Sequence, residues 1–277
     1  MKLAYPVLTE ETVKPLLGFK GDTKQILAQL AEIGYSGVEL LVRNPEEIDI
    51  VGISRLLQQL NLQVAAVGTG PVVSDDQMTF TDGNAETRAM AVKRAKKIVE
   101  FTAQFDSIVS IGKLRGEIDD KHSEQSWLWM REGLEQVCEV AEKLGVKVAL
   151  EPQSHLAMNN LNTTSSALLF AESLQLPNLN LMLDTYHMEV EGEFDKASFE
   201  QAREWMIYLH VADSDRLAPG KGRFHFEELI QTLQSISYKG FITPEIDQKH
   251  DSYYTAKEAF EFLREKIELA RTPAENI

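Results

Sequence analysis

The sequence predicts an α/β protein of the (β/α)8 class, a TIM barrel built as one domain over residues 1–277. Three observations lead there. Short apolar runs alternate with longer amphipathic ones, the pattern of parallel strands joined by helical crossovers. Eight such runs occur within 277 residues, with no linker or low-complexity stretch between them. Glycine closes helical stretches just before strands, as in Glu32-Ile33-Gly34-Tyr35 and Lys143-Leu144-Gly145-Val146, where a left-handed residue ends a helix without steric cost.

The runs follow in order. Leu3-Ala4-Tyr5 opens the chain, and a helical pattern over 24–33 leads into the apolar run 37–42. A pattern over 53–60 precedes the run 62–67, and a long one over 86–105 precedes 107–111. The pattern over 126–144 leads to 147–150, and 165–174 leads to 179–183. Runs at 206–209 and 240–243 complete the set, before a last helix near 256–270. Their near-continuous apolar character fits strands buried on both faces. A doubly wound sheet is the competing architecture, but no glycine-rich fingerprint follows the first run, which counts against a dinucleotide-binding version.

Composition narrows the function. Hydrophobic residues make up 43% and charged residues 26%, the balance of a soluble globular chain long enough to bury a core without disulfides. Cys138 is the only cysteine, so no intrachain disulfide forms and a cytoplasmic setting is expected, with Cys138 packing in a helix. The opening MKLAYPVLTEETVK lacks an apolar signal core and a cleavage site. No run of about 18 apolar residues is present, so no membrane partner is expected. The formal net charge of −15 argues against nucleic acid, whose binding needs a basic face to displace counterions.

In a barrel of this class the C-terminal strand ends form the active face. The fifth run ends in Glu151, the sixth in Asp184, the seventh in His210 and the eighth in Glu245, at spacings of 33, 26 and 35 residues. Each alone reads as a helix cap, a surface charge or a hydrogen-bonded core histidine. Together they form three carboxylates and an imidazole around one mouth. Such carboxylates repel unless a cation joins them. Oxygen ligands with one imidazole and open positions suit Mn²⁺, Mg²⁺ or Co²⁺. Arg216 follows in His210-Val-Ala-Asp-Ser-Asp-Arg216. It is placed to grip a substrate oxygen or a ligand carboxylate, or to fix its loop by pairing with Asp213 or Asp215. His187 either touches substrate or packs. Lys113, at the end of the fourth run, either faces the pocket to bind a carboxylate or phosphate or is solvated.

Glu151-Pro152, Asp184-Thr-Tyr-His-Met188, the 210–216 segment, Pro219-Gly-Lys-Gly222 and Glu245 resemble the xylose-isomerase-like TIM-barrel sugar isomerases and epimerases. The nearest likeness is to ketose 3-epimerases of the tagatose/psicose type and to keto-sugar-acid epimerases. Phe19-Lys-Gly-Asp22, the segment Gly34 to Glu39, Gly68-Thr-Gly70 and Ile111 to Gly116 share in it. The resemblance implies one divalent metal, Mn²⁺ foremost, on Glu151, Asp184, His210 and Glu245. It implies a cis-enediolate of a keto sugar or keto sugar acid, with Glu151 and Glu245 as the acid/base pair. It also implies an assembly such as a homodimer or homotetramer, in which Trp127 and Trp129 face a partner or else pack on the barrel; His187 and Arg216 are read as substrate contacts, with Lys113 and His155 as further candidates at positions where the family carries other residues. The chain departs from the pattern after Glu151-Pro152: Gln153-Ser-His155-Leu-Ala157 stands where those epimerases carry Leu-Asn-Arg, an aromatic and a second Glu. Pro71 stands where Gln is frequent, and Lys113 where an apolar residue is usual. Alternatives are an aldose–ketose isomerase of the hydroxypyruvate type, a non-catalytic sugar-binding barrel and a dehydratase. An endonuclease on this barrel would need more histidine ligands than the 6 His of this acidic chain provide.

Overall fold

The computed structural model describes residues 1–248 and 251–270. Eight parallel strands close into a barrel in chain order. They are β1 (Lys2–Leu8), β2 (Gly37–Leu41), β3 (Gln63–Gly68), β4 (Ile108–Ile111), β5 (Lys147–Leu150), β6 (Leu179–Asp184), β7 (Met206–Val211) and β8 (Phe241–Pro244). Closure runs through β1 and β8, where Lys2 pairs with Phe241 and Leu3 with Ile242. Around them lie α1 (Thr23–Ile33), α2 (Ile50–Leu60), α3 (Gly70–Asp76), α4 (Ala85–Thr102) and α5 (Ser123–Lys143). The ring continues with α6 (Thr164–Leu174), α7 (Thr185–Val190), α8 (Lys196–Ala202), α9 (Phe226–Ser235) and α10 (Ser252–Leu269). The sequence pattern does not mark out α3, α7, α8 or α9 individually, and three of these have seven residues or fewer, too short for a clear helical period.

Local chemistry sets the helix ends. The Asp22 side chain accepts from the Gln25 amide to start α1, and Gly34 ends it at φ 114. A Cβ at Gly34 would also sit 2.8 Å from the Phe260 ring, so both backbone and packing require glycine there. Gly145, at φ 70, lies just past the end of α5. Cys138 is buried in α5. Trp127 packs against Phe170, and Trp129 lies 3.7 Å beneath the Arg88 guanidinium. Among the described residues no helix is long and apolar enough to cross a membrane.

Two apolar regions divide the interior. The larger lies between strands and helices; the smaller, of Ala4, Ala65, Ala66, Ala149, Met182 and Tyr208, fills the barrel. Side chains alternate along a strand, so the residue two beyond a barrel filler points the same way. Ala149 is thus followed by Glu151, Met182 by Asp184 and Tyr208 by His210. The chain closes its barrel floor with small or apolar groups and sets polar ones on the layer above. In β2 a register shift between Val38 and Glu39 accompanies a carboxylate in that same interior.

Candidate active site

His210 is the hinge of the cluster. Its Nε2 lies 2.6 Å from Glu39 Oε2, with both side chains almost wholly buried. A carboxylate at that distance accepts a proton, so Nε2 carries the hydrogen and Nδ1 is the nitrogen that faces the barrel mouth, with its lone pair bare once a cation displaces the second proton. Tyr208 also donates to Glu39 Oε2, at 3.2 Å, and Ser110 to Oε1, at 3.3 Å. His210 Nδ1 is 3.8 Å from Glu151 Oε1 and 3.6 Å from Glu245 Oε1. Asp184, His210 and Glu245 each offer a ligand atom within 4.8 Å of the others, as do Glu151, Asp184 and His187.

The loop after β7 delivers the counter-charge. Asp213 accepts at Oδ1 from the Ser214 and Phe224 amides and at Oδ2 from the Gly220 amide. It therefore folds the loop and does not pair with Arg216. Asp215 and Arg216 both have positive φ, near 60, an unfavourable conformation for either residue that aims the guanidinium inward. Arg216 Nη1 donates to Asp184 Oδ2 at 2.9 Å and to Glu245 Oε2 at 2.6 Å. Its Nη2 lies 2.9 Å from His187 Nε2, and the group stacks 4.4 Å from the Tyr186 ring. A guanidinium only donates, so His187 Nε2 accepts and Nδ1–H faces Ser154 Oγ at 3.0 Å. Asp184 Oδ1 accepts from the Tyr186 amide and caps α7. Behind β5, the wholly buried Arg115 donates to the main-chain oxygens of Glu151 and Gly112 and to Asn160.

The donor set fits a divalent cation. Glu151 Oε1 and His210 Nδ1 are buried with no hydrogen-bond partner among the described residues. Octahedral bonds of about 2.1 Å put ligand atoms about 3.0 Å apart when adjacent and about 4.2 Å when opposite, which brackets the 3.8 and 3.6 Å from His210 Nδ1 to Glu151 and Glu245. Protonation behaviour points the same way. Burial raises the Glu151 carboxyl, Glu245 and Asp184 add to it, and the result is about 8. Burial opposes charge on His210, yet Glu39, Glu245 and Glu151 outweigh it and lift the imidazole to about 10. Burial also raises Glu245, offset in part by His210 and Arg216. Asp184 is the exception: burial would raise it, but Arg216, His187 and His210 hold it at about 2. Without a cation, this surplus of negative charge is balanced by protons on Glu151 and His210; a bound cation balances it with both deprotonated.

Residues 27–266 match the family profile described as xylose isomerase-like TIM barrel. The chain belongs to this family. Within it, an L-ribulose 3-epimerase of Methylomonas sp. (strain DH-1) is 26% identical over 266 residues, covering 88% of this chain and 91% of that one. The structure of a D-psicose 3-epimerase with D-tagatose from Clostridium cellulolyticum H10 superposes with a TM-score of 0.80 at 20% identity, over 96% of this chain and 99% of the other. A 3-keto-D-glucoside 4-epimerase from E. coli gives 0.78 at 18% identity, over 96% and 100%. At such identities the structural likeness establishes the fold.

Against this family background the expected residues divide. A cavity of about 500 Å³ at the strand C-termini is lined by Glu151, His210, Glu245, His187, Arg216 and Lys113, among others. Lys113 is exposed at its rim. His155 does not line it: its side chain is 62% exposed, and Nδ1 and the main-chain amide are both held by Glu191 Oε1 at 2.6 Å. The loop after β5 turns the ring outward, so His155, expected as a substrate contact, is held by Glu191 away from the cavity wall. Ala157 does line the cavity, whereas Pro71 is buried in the first turn of α3. Glu39, Arg115 and Gln153 enter as contributors to which the sequence assigns no role.

Proposed function

We propose that the chain is a divalent-metal-dependent epimerase of a keto sugar or keto sugar acid, an enzyme of the isomerase class. The observation that carries this reading is the pair of buried ligand atoms without a hydrogen-bond partner among the described residues, Glu151 Oε1 and His210 Nδ1, 3.8 Å apart, with Glu245 Oε1 3.6 Å from the histidine nitrogen. Glu151, Asp184, His210 and Glu245 would hold the cation, with Mn²⁺ the best match to three carboxylates and one imidazole, and Mg²⁺ or Co²⁺ next. The relatives act on different carbons: L-ribulose and D-psicose epimerases at C3, the keto-glucoside enzyme at C4. What they share is inversion beside a carbonyl, and that shared reaction is the one proposed.

A divalent cation, when bound, supplies Lewis-acid polarisation of the carbonyl and neighbouring hydroxyl of the sugar. The protein's own groups do the proton chemistry. Glu151 follows β5 and Glu245 follows β8, so the two carboxylates approach the substrate from separate parts of the rim. One removes the proton from the carbon beside the carbonyl, and the C–H electron pair passes into a cis-enediolate. The other delivers a proton to the opposite face of that carbon, and the stereocentre inverts with no redox change. General acid–base work of this kind contributes about 10²–10⁴-fold. Arg216 holds one oxygen of Glu245, which leaves the other to face the reaction, and its fork is positioned for a substrate oxygen. His187, which burial lowers to about 4 despite Asp184, is neutral and acts as a polar wall. Lys113 supplies a cation at the rim for an acidic substrate.

The test is a panel of keto sugars and keto sugar acids in D₂O with Mn²⁺. We expect deuterium at the inverted carbon, loss of activity on chelation and recovery on adding Mn²⁺. Equal turnover after thorough chelation overturns the proposal. Deuterium at an aldose C2 or ketose C1 instead identifies an aldose–ketose isomerase.

A further inference from the structure

We propose that Gln153 is a specificity-determining residue of this site: its Nε2 holds Glu151, and its Oε1 accepts a substrate hydroxyl next to the reacting carbon. The inference rests on the epimerase reading above. Gln153 is 8% exposed and lies in the cavity wall. Its Nε2 donates to Glu151 Oε2 at 2.7 Å. Its main-chain oxygen is fixed by Asn162 Nδ2, also at 2.7 Å. The amide orientation follows from the partner in the cation-bound state, where Glu151 is deprotonated: a carboxylate accepts and would repel the amide oxygen. Gln153 Oε1 therefore turns away from Glu151, and it is buried without a partner among the described residues.

Space for this pair is reserved. A Cβ on Gly112 would lie 2.6 Å from Glu151 Oε2 and 2.8 Å from Gln153 Nε2, so the two side chains pack against bare backbone. Nearby hydroxyl donors are engaged elsewhere: Thr69 Oγ1 donates to the Ser110 carbonyl, and Ser110 Oγ to Glu39. A buried acceptor in a ligand cavity with no protein donor is completed by a donor on the ligand. Sugar hydroxyls are such donors. One amide spans both roles, so the hydroxyl it accepts lies close to the carbon on which Glu151 acts. For a 2-ketose inverted at C3, that is the C4 hydroxyl.

The experiment compares Mn²⁺-loaded wild type with Gln153→Leu on D-allulose, D-tagatose and L-ribulose, and on counterparts lacking the C4 or the terminal hydroxyl. The readouts are KM, or an inhibition constant for a sugar that is not turned over, and the solvent-exchange kcat. For parent sugars and terminal-deoxy forms we expect KM to rise about tenfold in the variant. For 4-deoxy forms KM should match wild type, while kcat falls in every case because Glu151 is no longer held. Thermal melting checks folding, and Gln153→Met replaces the Leu variant if that does not fold. A KM ratio between variant and wild type that ignores the C4 hydroxyl overturns this inference and leaves the epimerase reading standing. Wild type inert toward every sugar overturns both.

Discussion

Replacing Glu39 by Gln should weaken Mn²⁺ binding by about 10–100-fold while leaving the barrel folded. Glu39 is 1% exposed, and its Oε2 takes the His210 Nε2 proton at 2.6 Å. That contact fixes which ring nitrogen is bare. A carboxamide has the same shape but can offer its NH₂ to Nε2, which moves the ring proton to Nδ1, toward Glu151 and Glu245. A charge-assisted hydrogen bond is worth about 1.5–3 kcal/mol net. At about 1.4 kcal/mol per factor of ten, its loss corresponds to about 10–150-fold in affinity. The assay is titration of metal-free protein with Mn²⁺, with free ion followed by electron paramagnetic resonance. Tyr208→Phe is the control, since it removes the 3.2 Å bond to Glu39 but keeps the charge and the histidine contact; it should cost less than about threefold. Wild-type affinity in Glu39→Gln would refute the assignment of His210 Nδ1 as a ligand.

Three further outcomes are expected. Glu151 and His210 are raised to about 8 and about 10 from ordinary values of 4.5 and 6.5, so the folded protein holds both protons more tightly than the unfolded chain. Their stabilisation is full below the ordinary values and is lost as pH climbs through the raised ones. Metal-free Tm should therefore fall by several degrees from pH 4.5 toward 10; saturating Mn²⁺ should flatten the slope, and a metal-free Tm rising across that window refutes it. Arg216→Lys should lower kcat by about 10²-fold, because an ammonium cannot span Asp184 and Glu245 as the fork does; stopped-flow exchange with near-normal kcat would contradict this. His155→Ala should leave KM unchanged for every sugar, while Lys113→Ala should raise it for acidic sugars only. Steady-state kinetics on matched neutral and acidic sugars decides both.

The barrel was legible because its alternation of strand and helix is written in residue type, and the four strand-end groups because each lies where an apolar run stops. Glu39 was not, since it sits inside the run Gly37-Val-Glu-Leu-Leu41 and is followed by more strand. A carboxylate embedded in a buried run is itself the signal, but its partner is 171 residues away. The partner of Arg216 was legible only as a choice between a ligand carboxylate and a neighbouring aspartate, and the structure selects Asp184 and Glu245. Asp213 and Asp215 are close in sequence, yet Asp213 is consumed by three backbone amides, which frees the guanidinium for long-range carboxylates. Gln153 and His155 show the limit of periodicity in loops. They are two residues apart, but the first lines the cavity and the second binds Glu191 outside it, because no regular period governs side-chain direction in the segment after β5.

Asp184 divides its two oxygens between tasks: Oδ1 closes the first turn of α7 and Oδ2 meets Arg216. The helix that carries Tyr186 and His187 thus begins on a side chain that the ion would also use. Truncation to alanine at this position would unwind a scaffold and empty a coordination place in one stroke, and a dead variant would not say which loss mattered. Asparagine separates them, since its carbonyl still terminates the turn while the formal charge is gone. Comparing the two exchanges would apportion the phenotype between architecture and chemistry at a single locus.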